Sequence, residues 1–188
     1  MEKLDRVLET YATSQALVDR IRYVAESLSL DFDNWEDRYV RGPSLYVLIV
    51  AETDFGEYTD PLGSNTWPVD RCRVLTRSLA AFRGAAEEVA YGRDGAVVAS
   101  GDGTVQEQMV RVRSPSKQEV PAITDLEYPD WMGTKQMNAL ETSLRENVLW
   151  VVTLSQGDGR ITTYLDGTYR DYPRGAVGGR WRDSTTEK

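Results

Sequence analysis

Two short segments hold residue types that could do chemistry together. Asp94-Gly95-Ala96 sets a carboxylate beside a glycine at the head of an apolar run. Gly133-Thr134-Lys135-Gln136-Met137 opens an amphipathic stretch with a hydroxyl and a cation. A carboxylate at a strand start can hold a metal ion, and the free amides of a helix N-terminus suit phosphate oxygens. The pair therefore fits a nucleotide carried with a divalent metal. Each segment also has a plainer reading. Asp-Gly is common turn chemistry, Thr134 could simply cap a helix, and Lys135 could be a surface cation. A lysine in a first helical turn opposes the helix dipole, so an anion nearby would offset that cost.

The chemistry is bounded by what the chain lacks. It has no histidine and one cysteine, Cys72, which removes His- and Cys-based metal sites, Ser-His and Cys-His catalysis, and any intramolecular disulfide. Catalysis must run on carboxylates, Lys, Tyr or an oxygen-held metal. Cys72 lies in Asp70-Arg71-Cys72-Arg73, a cationic setting that could activate a thiol, although a lone thiol on a helix is usually inert. The formal net charge of −8 argues against a DNA or RNA backbone as partner while leaving room for a small phosphorylated ligand. Neither GxGxxG nor GxxxxGK[ST] occurs.

These residues need a scaffold, and 188 residues with 40% hydrophobic and 28% charged content suffice for one domain with a layered core. Residues 3–28 carry apolar positions at helical spacing, with Thr13-Ser14 as a candidate break into two helices. Residues 44–53 read as a buried strand around Leu45–Val50, and 54–67 as a loop rich in Gly, Asp, Pro and Asn. A helix is expected from Pro68 to about Tyr91, closed by Gly92. Ala96–Ala99 should then pair with Thr104–Arg113 as a hairpin. After a Pro-rich connector come a helix over 134–147, a strand over 148–155 and a hairpin continuing through 160–165. Tyr128 and Trp131 in the connector offer either a base-stacking surface or loop anchors. The expected fold class is α/β, a mixed central β-sheet flanked by helices. No apolar run could span a bilayer, so the expectation is a soluble, cytoplasmic protein.

At this level the sequence resembles the diadenylate cyclase domain, the family that makes cyclic di-AMP and includes the DNA-integrity scanning protein and an archaeal branch. Asp94-Gly95-Ala96 with Val97-Val98 looks like the family's Asp-Gly-Ala motif at a strand head. Gly133-Thr134-Lys135-Gln136-Met137 stands in the place of its Gly-Thr-Arg-His-Arg. Leu154-Ser155-Gln156 with Ile161–Tyr164 looks like the strand end and hairpin that close the pocket. The similarity covers roughly residues 44–170. It divides the chain into an N-terminal helical segment (1–43), a nucleotide-binding domain (44–172) and a flexible tail (173–188).

The resemblance implies condensation of two ATP into cyclic di-AMP with release of two pyrophosphates, across two facing copies in a homodimer or higher oligomer. Asp94 would bind Mg2+ or Mn2+ and help activate the ribose 3′-hydroxyl, with Lys135 and Gln136 completing the catalytic set. Gly95, Ala96, Gly133, Thr134, Ser155 and Gln156 would hold the nucleotide. Lys135-Gln136-Met137 departs from the family's Arg-His-Arg: a lysine lacks the arginine fork, glutamine is a poor metal ligand and methionine carries no charge. The alternative is a degenerate domain that binds ATP or cyclic di-AMP as a sensor or partner subunit.

Overall fold

A computed structural model describes the backbone of residues 2–179 and the side chains of residues 13–179. The chain runs α1 (Glu2–Asp31), β1 (Leu45–Val50), β2 (Thr59–Thr66), α2 (Leu79–Gly92), β3 (Val97–Ser100), β4 (Gln108–Val112), α3 (Thr134–Thr142), β5 (Val148–Leu154), β6 (Ile161–Leu165) and β7 (Thr168–Tyr172), with short 3-10 turns between. It is a mixed α/β fold. The main sheet has the order β3-β1-β5-β6-β7, in which β1 and β3 are parallel and the other neighbours antiparallel.

β1 shows why its sequence is apolar without interruption. All its residues are buried, because both faces of the sheet are covered. Leu45, Val47 and Ile49 pack toward α1 and α2 with Leu17, Ile21, Phe82 and Val89. Tyr46, Leu48 and Val50 pack toward α3 and β4 with Leu140, Val98, Val110 and Val112. The alternation of the pleat thus divides one strand between two cores.

Several sequence expectations are corrected. α1 is one continuous helix through Thr13-Ser14, and Ser14 is buried rather than capping a break. α2 does not start at Pro68 but at Leu79, where Ser78 Oγ accepts from the Ala81 amide. Residues 68–78 bond elsewhere: Leu75 N donates to Gly103 O, Arg73 O accepts from Val105 N, and Trp67 Nε1 donates to Cys72 O. Cys72 is consequently a buried thiol off any helix, and burial raises its pKa. The 54–67 loop contains β2, and the return strand after β3 is not simply its hairpin partner. Only isolated bridges, Ala96 to Val110 and Ala99 to Val105, link the two, while β4 pairs with β2 in a separate two-stranded ribbon. α3 stops at Thr142 instead of Asn147.

The flanking segments lie against this sheet. Arg22 and Glu26 form a buried ion pair on α1 at 2.8 Å, and Glu26 Oε2 also accepts from the Gly178 amide. Within 173–179, Arg174–Ala176 form a 3-10 turn and Val177 is fully buried. The rest of the segment read as a tail, 180–188, lies outside the described residues.

Candidate functional site

The chain leaves α2 at Gly92 and turns through Arg93 and Asp94 into β3. Gly95 makes that turn possible. Its φ is +102°, and a Cβ there would lie 2.9 Å from Val110 O and 2.7 Å from Leu62 Cδ2. Only a glycine fits this close approach without displacement. The next residue is clamped: Ala96 N donates to Val110 O at 2.7 Å and Val110 N donates back to Ala96 O at 3.0 Å. Asp94 is thereby fixed at the strand head with its side chain exposed.

α3 supplies the opposing wall. Its N-cap is Gly133, which has no side chain to bond the first amides, so Thr134 is not a cap but the first residue of the helix. The first-turn amides have no capping partner from the side chain before them. Lys135 follows, with its Nζ donating to Ser44 Oγ, just before β1, and to Leu154 O, at the end of β5, at 3.0 Å. Burial lowers its pKa from 10.5 to about 8, and the Asp94 carboxylate opposes that shift.

The walls enclose a cleft of about 720 Å³, within the roughly 300–1,000 Å³ of small-ligand sites. Asp94, Gly95, Ala96, Thr134, Lys135 and Gln156 all line it. Gly133, Gln136 and Ser155 do not appear in its lining. Gln136 turns into the protein and is 8% exposed, and Ser155 lies in the tight turn before Arg160, its amide donating to Arg160 O. The connector aromatics are anchors: Tyr128 OH donates to Glu141, and Trp131 packs edge-on against Tyr169 beneath Arg160.

The structure adds residues that sequence reading did not single out. Arg93, Arg111, Ser44, Tyr46, Ser114 and Asn138 also face the cleft. Tyr46 OH donates to Asn138 Oδ1 at 2.8 Å, and Asn138 Nδ2 donates to Val112 O and Ser114 Oγ. This network ties α3, β1 and the end of β4 together at one wall, and burial raises the Tyr46 pKa. Arg93 is occupied by Thr66 and Glu88. The Arg111-Val112-Arg113 alternation was the one local signal of an outward-facing cation on β4.

The lining holds three cations, Arg93, Arg111 and Lys135, against one carboxylate, Asp94. Such a balance, with polar hydroxyls and an apolar patch from Leu62 and Ala96, can take a small organic anion. Among the described residues no group of three or more His, Cys, Asp or Glu side chains converges to hold a metal ion. No helix among them is long and apolar enough to cross a membrane.

No family model matches the chain, and no curated protein matches its sequence. Comparison with solved structures does find matches. A crystal structure of a hypothetical membrane spanning protein from Bacillus cereus superposes with a TM-score of 0.55 at 12% identity, over 82% of this chain. The match spans 62% of that protein's own length. A structure of DacA from Staphylococcus aureus, in a double-mutant form, matches with a TM-score of 0.48 at 13% identity, over 90% of this chain and 97% of that one.

Proposed function

We infer that the cleft binds a nucleoside triphosphate, and that the chain is a nucleotide-binding domain of the diadenylate cyclase type. One observation carries the reading: Asp94-Gly95-Ala96 and Thr134-Lys135, separated by some forty residues of sequence, line the same cleft with three cations. The motif resemblance supplies the ligand class, and the geometry supports it by making the motifs neighbours. Thr134 and the uncapped amides of α3 receive phosphate oxygens, and Lys135 adds charge beside them. Ala96, Leu62, Val110 and Val112 form the apolar side, suited to base or ribose.

A divalent ion fits here only in company with the nucleotide. Asp94 is the sole carboxylate of the lining, and Mg2+ commonly binds through one or two carboxylates with substrate phosphates and water filling its octahedron. Bound that way, it would neutralise phosphate charge. Asp94 would orient it, and the remaining work falls to the cleft's own donors.

Binding without efficient turnover is the reading the site favours. Lys135 commits two of its three donors to Ser44 and Leu154, Gln136 is turned into the protein, and Met137 has no charge to offer. In-line transfer relies on positioned charge at phosphorus, and this set is short of it. Cyclic di-AMP synthesis stays as the second reading because Asp94 and Lys135 line one cleft; it would require two copies face to face. Incubation with ATP and Mg2+ or Mn2+, followed by mass spectrometry, separates the two. Saturable ATP binding with no cyclic di-AMP is the expected result, and steady product formation would favour the cyclase.

A further inference from the structure

We propose that Arg111 is the residue that grips the polyphosphate of the bound nucleotide, an inference that rests on the nucleotide reading above. The three cleft cations are used differently. Arg93 donates to Thr66 O and Oγ1 and pairs with Glu88 at 2.7 Å. Lys135 donates to Ser44 Oγ and Leu154 O. The Arg111 guanidinium makes no hydrogen bond or ion pair with any described residue, although the residue lines the same cleft. Its five donors are therefore unspent, in a planar fork that matches phosphate.

Its freedom is a product of the ribbon. Asp60 on β2 stands directly across from Arg111 in register, on the same face. That carboxylate nevertheless leans to Arg113, at 3.6 Å, and leaves Arg111 unpaired. On either side Val110 and Val112 turn into the core, which fixes the strand and aims Arg111 the other way. A chain of net charge −8 has carboxylates to spare, yet this lining gathers three cations against one carboxylate, Asp94, and outside it Glu88 meets Arg93 alone, so a net repulsion remains. An incoming polyphosphate would relieve that repulsion, and it would meet one guanidinium that no protein group competes for. Arg111 thus supplies the fork that Lys135 cannot.

The test is competition binding with two probes: ATP, and inorganic tripolyphosphate, which has no base. Arg111→Ala should weaken both by about ten- to hundredfold, the usual worth of a hydrogen bond to a charged group. Arg111→Lys should fall between, keeping charge without the fork. The melting temperature should not move, since Arg111 is exposed. Unchanged ATP affinity in Arg111→Ala would overturn the proposal. So would a loss for ATP with none for tripolyphosphate, which would put the guanidinium against the base, or a native cleft that ignores tripolyphosphate. If the unsubstituted protein fails to bind ATP at all, the nucleotide reading falls and takes this inference with it. Equal ATP binding by both proteins removes this inference alone.

Discussion

Lys135 sits where two demands meet. Burial strips its ammonium of water and lowers its pKa to about 8, while Asp94 favours the charge. The sign of its pH effect follows. An anionic ligand prefers the protonated amine, so ATP affinity should hold steady below about pH 7 and fall as pH rises through about 8. Lys135→Met should flatten that profile in a calorimetric pH series; an unchanged profile would place the titrating group elsewhere. Folding shows the opposite trend. Between about pH 8 and 10.5 the folded state has released a proton that the unfolded chain still holds, so stability from this residue rises with pH. For Asp94, substitution by asparagine should remove the Mg2+ dependence of ATP binding while sparing metal-free binding. Retained Mg2+ dependence would mean the carboxylate is not the metal contact. Asp94, Thr134 and Lys135 were legible in the sequence because each belongs to a local motif. Arg111 and Ser44 were not, because the pairing of β4 and the packing of β1 beside α3, rather than chain proximity, bring them to the cleft; Asn138, one turn along α3 from Lys135, belongs to no motif.

Among the elements, the β2–β4 ribbon does most to shape the site, and it is the least visible in the sequence. β1 and β5 announce themselves as unbroken apolar runs. β2 is Thr-Asp-Pro-Leu-Gly-Ser-Asn-Thr, with neither alternation nor β-propensity, and Pro61 is tolerated because the ribbon has only one paired side. Its partner β4 was recognisable as a strand, but which neighbour it pairs with was not. Gly95 is where ribbon and sheet touch most closely. Gly95→Ala should cost about 1–3 kcal/mol, from left-handed backbone and contact with Val110 O. Urea denaturation checks this, and a stability equal to that of the native protein would contradict the close crossing. Asn138 joins α3 to β1 and β4. Asn138→Ala leaves the buried Tyr46 hydroxyl without that partner and should cost roughly 1–3 kcal/mol, with a loss of ATP affinity as α3 loosens.

At the scale of the molecule, two cores share one sheet and the cleft opens on the side of α3 and the ribbon. The α1 side is tied down separately. Glu26 meets Arg22 and the Gly178 amide, while Arg22 donates to Tyr172 OH and stacks over its ring. Glu26→Ala would take the carboxylate from buried Arg22 and the acceptor from the Gly178 amide, a cost of about 1–3 kcal/mol, seen as a lower melting temperature. ATP affinity measured below that temperature should be unaffected, because the pair is remote from the cleft lining. The mixed sheet flanked by helices was legible because alternating helix and strand signals leave few other ways to bury both faces.

The cleft between Asp94 and Thr134-Lys135 is proposed to hold a nucleoside triphosphate. Isothermal titration of the purified protein with ATP and Mg2+, beside the Asp94→Asn variant, tests it most directly. The native protein should bind saturably, and the variant should lose the Mg2+ dependence of that binding. No measurable binding by the native protein, or identical Mg2+-dependent binding by both, would contradict it.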